Sequence, residues 1–318
     1  MNCMKLQKIL FLAAAGTLFG ATGAETVFSS DFAAQKWNRA PAWTIEGDTA
    51  KATQIPGKWP ALSYPVSLEK NNFYRCSFQY RTSGSTDSSD KLLLHVHKKY
   101  HFSYPPVTEW TTSYAYFHAA DSGKGDLMFQ LEGKSPFQLQ IRKIQVEKLS
   151  ADDRKRIRVD FASDNGPMPA FFRKHFWKNA EGSLQVVPAE DHIEGGKAMR
   201  ITARAKTGKT QLSVYSLHLP LEPGKRYRLS LWAKADPQTP FSFYIDGYVS
   251  GQKKHWYKGT RTKLTARWEK QSMEFSGPAV AEYPQMAKQT AYLVFSFPAE
   301  ESEKTIQIHS VELEQLGK

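Results

Sequence analysis

The chain has 318 residues, 41% of them hydrophobic and 13% aromatic, two cysteines and a formal net charge of +12. That length fits two domains of ordinary size, each large enough to bury a core without a disulfide staple. The basic residues are dispersed and no helix or zinc-ligand pattern accompanies them, so nothing points to a nucleic-acid partner. The charge would instead attract acidic glycans or anionic cell surfaces without specificity.

The first residues do not read as part of a fold. Lys5 and Lys8 precede an apolar run from Ile9 to Phe19, and Thr22, Gly23 and Ala24 offer a small-residue cleavage site. This is the form of a secretory signal peptide. The run is short for crossing a bilayer, which takes about 20 residues, and Cys3 lies too early for a lipobox cysteine. Cleavage after Ala24 would remove Lys5, Lys8 and Cys3, taking the net charge from +12 to +10 and leaving Cys76 as the single cysteine. The expectation is an exported protein, periplasmic or extracellular, without a transmembrane segment in the mature chain and without an intramolecular disulfide.

A first domain is predicted over residues 25–149. Val27 to Phe32 reads as a strand, followed by a loop-rich region holding Trp37, Trp43 and Trp59. Ala61 to Val66, Phe73 to Arg81 and Leu92 to Val96 read as further strands. Cys76 alternates with Tyr74 and Phe78, which predicts a buried thiol. Tyr100 to Pro106 reads as an aromatic turn, and a strand runs from Trp110 to His118. Leu127, Phe129 and Leu131 share one strand face, as do Phe137, Leu139 and Ile141. The alternation then slips: Ile144 and Val146 resume it after Arg142 and Lys143, which predicts a β-bulge.

Residues 150–155 read as a linker and 156–318 as a second domain. Ile157, Val159 and Phe161 mark its first strand, and the aromatic stretch Phe171–Trp177 is expected to cover a rim. Ala198–Ala205, Leu212–Leu219, Tyr227–Leu231, Phe241–Ile245 and Lys270–Phe275 read as strands, with His255, Trp256 and Tyr257 in an exposed loop. Pro278 to Thr290 reads as a long loop. The end of the chain repeats the slip: Ile306 and Ile308 alternate, His309 and Ser310 interrupt, and Val311 and Leu313 resume. Tyr227 matches Tyr74, Trp268 matches Trp110, and Leu293, Phe295 and Phe297 match Leu127, Phe129 and Leu131. The offset grows from 153 at the tyrosines to 167 at Ile141 and Ile308. A duplicated domain with insertions in the second copy accounts for that drift. Neither half offers a long amphipathic helix, so the expected class is all-β, a pair of sandwiches.

The segment PGK-x-Y-x-L-S-x-W-A-K at Pro223–Lys234, the aromatic-led strand from Trp268 and the terminal I-x-x-V-x-L-x-x-L at Ile308–Leu316 resemble the cellulose-binding, CenC-like carbohydrate-binding module family. The second domain carries the clearer resemblance, and the first shares it mainly through its common layout. The resemblance implies two tandem jelly-roll β-sandwich domains. It also implies a sugar chain held on a concave face by stacked aromatics, and in many members a structural calcium near the first and last strands. The family's last strand often reads I-D-N-V. Here His309 and Ser310, and in the first domain Arg142 and Lys143, replace the D-N pair, while Asp31 and Asp160 remain as first-strand oxygen donors. Calcium needs several such donors, so the expectation is no cofactor and no metal.

Sugar recognition needs flat apolar rings for C–H faces and polar groups for hydroxyls. The second domain offers Trp232, Tyr244, Asp246, Tyr248, His255, Trp256 and Tyr257, with Trp232, Tyr244, Asp246 and Tyr248 expected along one sheet face. The first domain offers Arg75 and Arg81 for an acidic glycan, with Gln79 beside them and His97, Tyr100 and Tyr104 as further candidates. His95 and His97 are expected on one strand face, and Trp110 in the core. A glycosidase needs two placed carboxylates, and no distinctive pair is present. There is no G-x-S-x-G elbow, no H-E-x-x-H and no phosphate loop. The reading is a non-catalytic, secreted carbohydrate-binding protein. The alternative is a structural or protein-interaction protein of the cell envelope, using its sandwiches as spacers or adhesive modules.

Overall fold

The computed structural model describes residues 24–87, 89–98, 100–119, 123–159, 161, 172–175, 179–192, 194–219, 221–249, 254–278 and 291–317. The expected signal peptide, apart from Ala24, lies outside the described residues, as does the predicted loop from 279 to 290. The first half contributes β1 (Glu25–Ser29), β2 (Asn38–Arg39), β3 (Trp43–Glu46), β4 (Thr49–Gln54), β5 (Ala61–Leu68), β6 (Phe73–Ser83), β7 (Lys91–Val96), β8 (Tyr100–Tyr104), β9 (Thr111–His118), β10 (Gly123–Glu132) and β11 (Phe137–Lys148). A one-turn helix, α1 (Ala151–Lys155), follows. The second half contributes β12 (Arg156–Val159), β13 (Phe172–His175), β14 (Ala180–Pro188), β15 (Lys197–Ala205), β16 (Thr210–Leu219), β17 (Arg226–Asp236), β18 (Thr239–Val249), β19 (Lys254–Leu264), β20 (Glu269–Ser276), β21 (Ala291–Ala299) and β22 (Lys304–Leu316).

The two halves have the same topology. In the first, one sheet runs β3-β4-β11-β6-β9 with β1 also on β11, and the other runs β2-β5-β10-β7-β8. In the second, the orders are β14-β15-β22-β17-β20, with β12 on β22, and β13-β16-β21-β18-β19. Strand for strand these coincide, so the duplication read from the sequence is a duplication of a whole jelly-roll sandwich. All pairings are antiparallel, and alternate side chains of each sheet fill the space between the two layers. Leu94, Phe129, Leu139 and Ile141 form part of one core, and Leu229, Phe243, Phe295 and Ile308 part of the other, all at 1% exposure or less. Each such side chain contributes roughly 1.5–3 kcal/mol by leaving water.

The phase slips are bulges in the last strand of each half. The β6–β11 ladder shifts between Arg142 and Gln145, with Lys143 at φ 52°, and the β17–β22 ladder shifts around His309. The matched tyrosines also act alike. The Tyr74 hydroxyl accepts the Glu69 amide at 2.9 Å, and the Tyr227 hydroxyl accepts the Glu222 amide at 2.7 Å. Each ring therefore pins the turn that leads into its strand.

Several expectations are corrected. The region of Trp37 and Trp43 contains strands β3 and β4; their short, Gly-interrupted alternation hid them. β14 lay unnoticed because Val187, next to the core-facing Val186, blurs the period of two. Tyr100 to Tyr104 is strand β8, not a turn, and residues 254–264 form strand β19, not a loop. At the junction, α1 carries a capping box, in which Ser150 and Asp153 satisfy each other's backbone amides. Arg154 from this helix lies 5.0 Å from the Phe73 ring and 2.8 Å from Glu222, joining the two sandwiches.

Candidate functional site

The outward face of the sheet β13-β16-β21-β18-β19 carries a compact group of tyrosines. Strand register places them in rows. Arg173, Tyr215, Val294, Tyr244 and Gly259 are successive cross-strand neighbours. The adjacent row contains Tyr292, Asp246 and Tyr257, and the row on the other side contains Ser213, Ser296, Ser242 and Arg261. The cause is local. Leu212 and Val214, Phe243 and Ile245, and Leu293 and Phe295 point into the core, so Tyr215, Tyr244, Asp246 and Tyr292 must point out.

Gly259 shapes one end of this face. A Cβ there would stand 2.3 Å from the Tyr244 Cβ and 2.9 Å from the Tyr257 hydroxyl. Its absence lets the Tyr257 ring lie against Tyr244, with centroids 4.7 Å apart. Tyr257 remains 51% exposed, so it offers a ring to solvent. Tyr215 packs on Tyr292 at 5.8 Å and donates a long hydrogen bond to Asp246 Oδ2 at 3.5 Å. Arg173 lies 5.8 Å from the Tyr292 ring and donates to the backbone oxygen of Ser103 at 3.2 Å. Ser103 is on β8, an edge strand of the first sandwich, so the first domain walls this end of the face.

Burial, reinforced by the neighbouring Tyr244 and Asp246, pushes the Tyr215 hydroxyl well above the usual phenol range. Burial also raises Tyr244, with Asp246 adding to it. In Tyr292, burial raises the hydroxyl against the lowering pull of Arg173. These phenols stay protonated at any ordinary pH and act as neutral rings with polar tips. The arrangement supplies flat apolar surfaces, one carboxylate acceptor and two guanidinium groups, Arg173 and Arg261, on a single face.

Residues 174–288 match a family model described as a carbohydrate-binding domain. The second domain is similar to a carbohydrate-binding domain. The matched stretch includes β16, β18 and β19, which carry Tyr215, Tyr244, Asp246 and Tyr257. No curated protein matches the sequence. Among solved structures, the chain is similar to the N-terminal CBM22-1–CBM22-2 tandem domain of Xyn10C from Paenibacillus barcinonensis. Identity there is 14% and the TM-score 0.40, over 93% of this chain and 99% of that one. A family 11 carbohydrate-binding module from Clostridium thermocellum, in complex with a β-1,3-1,4-mixed-linked tetrasaccharide, aligns at 13% identity and TM-score 0.35. It covers 50% of this chain and 94% of that chain. The tandem-sandwich assignment rests on the strand pairing of the chain itself.

The structure divides the expected site residues. Tyr244, Asp246 and Tyr257 lie together. Tyr248 and His255 pair in the β18–β19 ladder, as do Gly247 and Trp256, but the side chains of Tyr248, His255 and Trp256 lie outside the described residues. Trp232 is on β17, in the opposite sheet, and so does not share the face of Tyr244 and Asp246. The alternation of each strand was legible, but which strands share a sheet was not. Tyr215, Tyr292 and Arg173 were missed for the same reason.

In the first domain the candidates fall on both sides of the sandwich. Arg75 is 8% exposed and closes on Glu147 at 2.7 and 2.9 Å, so it is a structural ion pair rather than an anion site. Arg81 holds Gln140 Oε1 at 3.0 Å and covers the Trp110 ring at 4.9 Å. Tyr104 is 1% exposed, packs edge-on to Phe78 and donates to the Tyr114 carbonyl at 3.0 Å; it is a core residue. Trp110, expected in the core, is half-buried on the outer face beneath Arg81 and Arg142. His97 does not share a strand face with His95. It sits past the end of β7 at φ 51°, with its ring over Gly125. The partner of His95 is His101, with their Nδ1 atoms 2.5 Å apart. The Tyr100 side chain lies outside the described residues.

Among the described residues, one group of three His, Cys, Asp or Glu side chains is gathered closely enough to hold a metal ion. At the β22 bulge, His192, Glu194 and His309 bring one ligand atom each to within 4.8 Å of one another. Two imidazoles and a carboxylate do not suit a hard cation that takes six to eight oxygens. Asp31 accepts the Ala33 and Ala34 amides and so closes a turn. Asp160 lies outside the described residues.

Proposed function

We propose that this is a secreted, non-catalytic carbohydrate-binding protein, whose second domain holds a glycan across the tyrosine face. The observation that supports this most is the clustering of Tyr215, Tyr244, Tyr257 and Tyr292 around Asp246 on one outward sheet face, within a domain similar to a carbohydrate-binding domain. The rings would stack on sugar C–H faces, while Asp246 accepts from hydroxyls and Arg173 donates. Among the described residues of the three cross-strand rows, Asp246 is the one carboxylate. A glycosidase needs two, which favours binding without hydrolysis. The resemblance to CenC-like modules and the signal-peptide form of the N-terminus complete the reading, with export to the periplasm or medium.

The test is an array of neutral and acidic polysaccharides, followed by calorimetric titration of the full chain. Tyr244→Ala and Asp246→Asn should each weaken binding by about 1–3 kcal/mol, roughly 5- to 150-fold. Glycan binding unchanged in both variants would place the ligand elsewhere. Absence of any glycan binding, together with a specific protein partner retained on the same face, would establish the adhesive alternative instead.

A further inference from the structure

The opposite sheet of the second domain carries a different surface feature. A cavity of about 480 Å³ is lined by Asp191, His192, Trp232, Lys234, Ala266, Arg267 and Trp268. Trp232 comes from β17 and Trp268 from the turn before β20. Both indoles are half-buried and present surface to the cavity. The site is held rigidly. Trp268 Nε1 donates to the Glu190 carbonyl at 2.9 Å, and Lys234 Nζ donates to the same oxygen at 3.3 Å. His192 stands edge-on to both tryptophans, at 5.3 Å from Trp232 and 5.0 Å from Trp268. Beneath it, His309 stacks on His192 at 3.7 Å and binds the Gly195 oxygen at 2.7 Å.

The duplication provides an internal comparison. Trp110 in the first domain matches Trp268, Arg81 matches Lys234, and the bulge residues Arg142 and Lys143 match His309 and Ser310. In the first domain, Arg142 lies 4.1 Å and Arg81 4.9 Å from the Trp110 ring centroid. Arg142 is held there by Gln79 at 3.0 Å, so the protein covers its own tryptophan. In the second domain Lys234 keeps the place of Arg81 over the ring, but Arg142 is replaced by His309, which turns inward onto His192. Gln79 is replaced by Trp232. What is a filled surface in one copy is an open, two-tryptophan corner in the other.

Charge selects the occupant. Lys234 and Arg267 face Asp191, two cations to one carboxylate. Among the described residues, neither Lys234 nor Arg267 has a carboxylate within ion-pair distance. Lys234 uses one of its three donors on Glu190 and lies 4.9 Å from the Trp268 centroid. Its ammonium is therefore fixed over the Trp268 ring. Two indole faces suit a sugar ring, and a fixed ammonium beside them suits a carboxylate on that ring. We propose that this cavity is a second glycan site, specific for a uronic acid residue, on the face of the second domain opposite the tyrosine cluster. It shares with the proposed function only the premise that the ligand is a glycan.

The experiment is titration of the full chain with trigalacturonic acid, and with the neutral trisaccharide galactotriose as control, followed by tryptophan fluorescence and calorimetry. Trigalacturonic acid should shift the tryptophan emission, and galactotriose should bind this cavity at least about tenfold more weakly. Lys234→Gln should weaken trigalacturonic acid by about tenfold, and Trp268→Ala should abolish the emission change. Tyr244→Ala should alter neither. Lys234→Gln and Arg267→Gln change solvent-facing groups and keep the test decisive if Trp268→Ala misfolds. The proposal is overturned if trigalacturonic acid does not bind, if it binds equally well in Lys234→Gln and Arg267→Gln, or if Tyr244→Ala alone removes it. The last result would assign acidic sugars to the tyrosine face and leave the proposed function standing. Loss of neutral-glycan binding on the array would strike the proposed function and leave this one standing.

Discussion

Asp90 offers the sharpest test of the energetics of the first domain. It is 2% exposed and stands just before β7. Its carboxylate accepts Ser85 Oγ at 2.8 Å, the amides of Asp87 at 3.3 Å, Lys134 at 3.0 Å and Ser135 at 3.2 Å, and the Ser135 hydroxyl. Gly133 makes room for it, since a Cβ there would meet Asp90 Oδ1 at 2.3 Å. Burial by itself would raise the carboxyl pKa. The hydrogen bonds from Ser135, Ser85 and the Asp87 amide outweigh it and hold the value at about 2. Asp90→Asn keeps the shape but turns charge-assisted bonds into neutral ones and sets an NH2 group against at least one amide. Charged hydrogen bonds contribute about 1.5–3 kcal/mol and neutral ones about 0.5–1.5, so the expected loss is about 2 kcal/mol. For a domain of this size that is a fall of roughly 6–10 °C in the melting temperature of the first domain.

The pH dependence follows from the direction of the shift. The folded carboxyl holds its charge to lower pH than the unfolded one, whose pKa is about 3.9. Its stabilisation is therefore complete above about pH 4 and is lost as the pH falls toward 2. Calorimetric melts of wild type and Asp90→Asn should differ by a constant amount in the neutral range and converge in acid. A difference below about 0.5 kcal/mol at neutral pH, or one that persists undiminished into acid, would refute the reasoning.

Arg75→Met should leave Glu147 without its main cation and cost about 3 kcal/mol in urea unfolding. The double change Arg75→Met with Glu147→Leu should recover most of that; no recovery would mean that Arg75 acts through packing. Cys76 is fully buried, and burial, reinforced by Glu147, pushes its thiol far above the usual range. A thiol reagent at about pH 8 should not label the folded chain but should label it fully once unfolded. Rapid labelling of the folded protein would show that the strand around Cys76 opens.

The sequence by itself determined what depends on local periodicity. Alternation fixed which residues of β6, β10, β17 and β21 face a core, and the slips after Ile141 and Ile308 placed both bulges. Drifting offsets between matched aromatics disclosed the duplication. These features are local because a strand's inward set is decided by every second residue. The tertiary structure decided what depends on register between strands. Tyr215, Val294, Tyr244 and Gly259 come from four strands separated by up to 79 positions, and only their pairing makes them one row. The same holds on the other side of the sandwich. Trp232 carries the same local signal as Tyr244, an aromatic opposite a buried neighbour, and that signal does not say which of two sheets will take the strand. Alternation gives inside or outside, whereas sheet membership arises from long-range hydrogen bonding. A site built across strands is therefore visible only once the sheets have assembled.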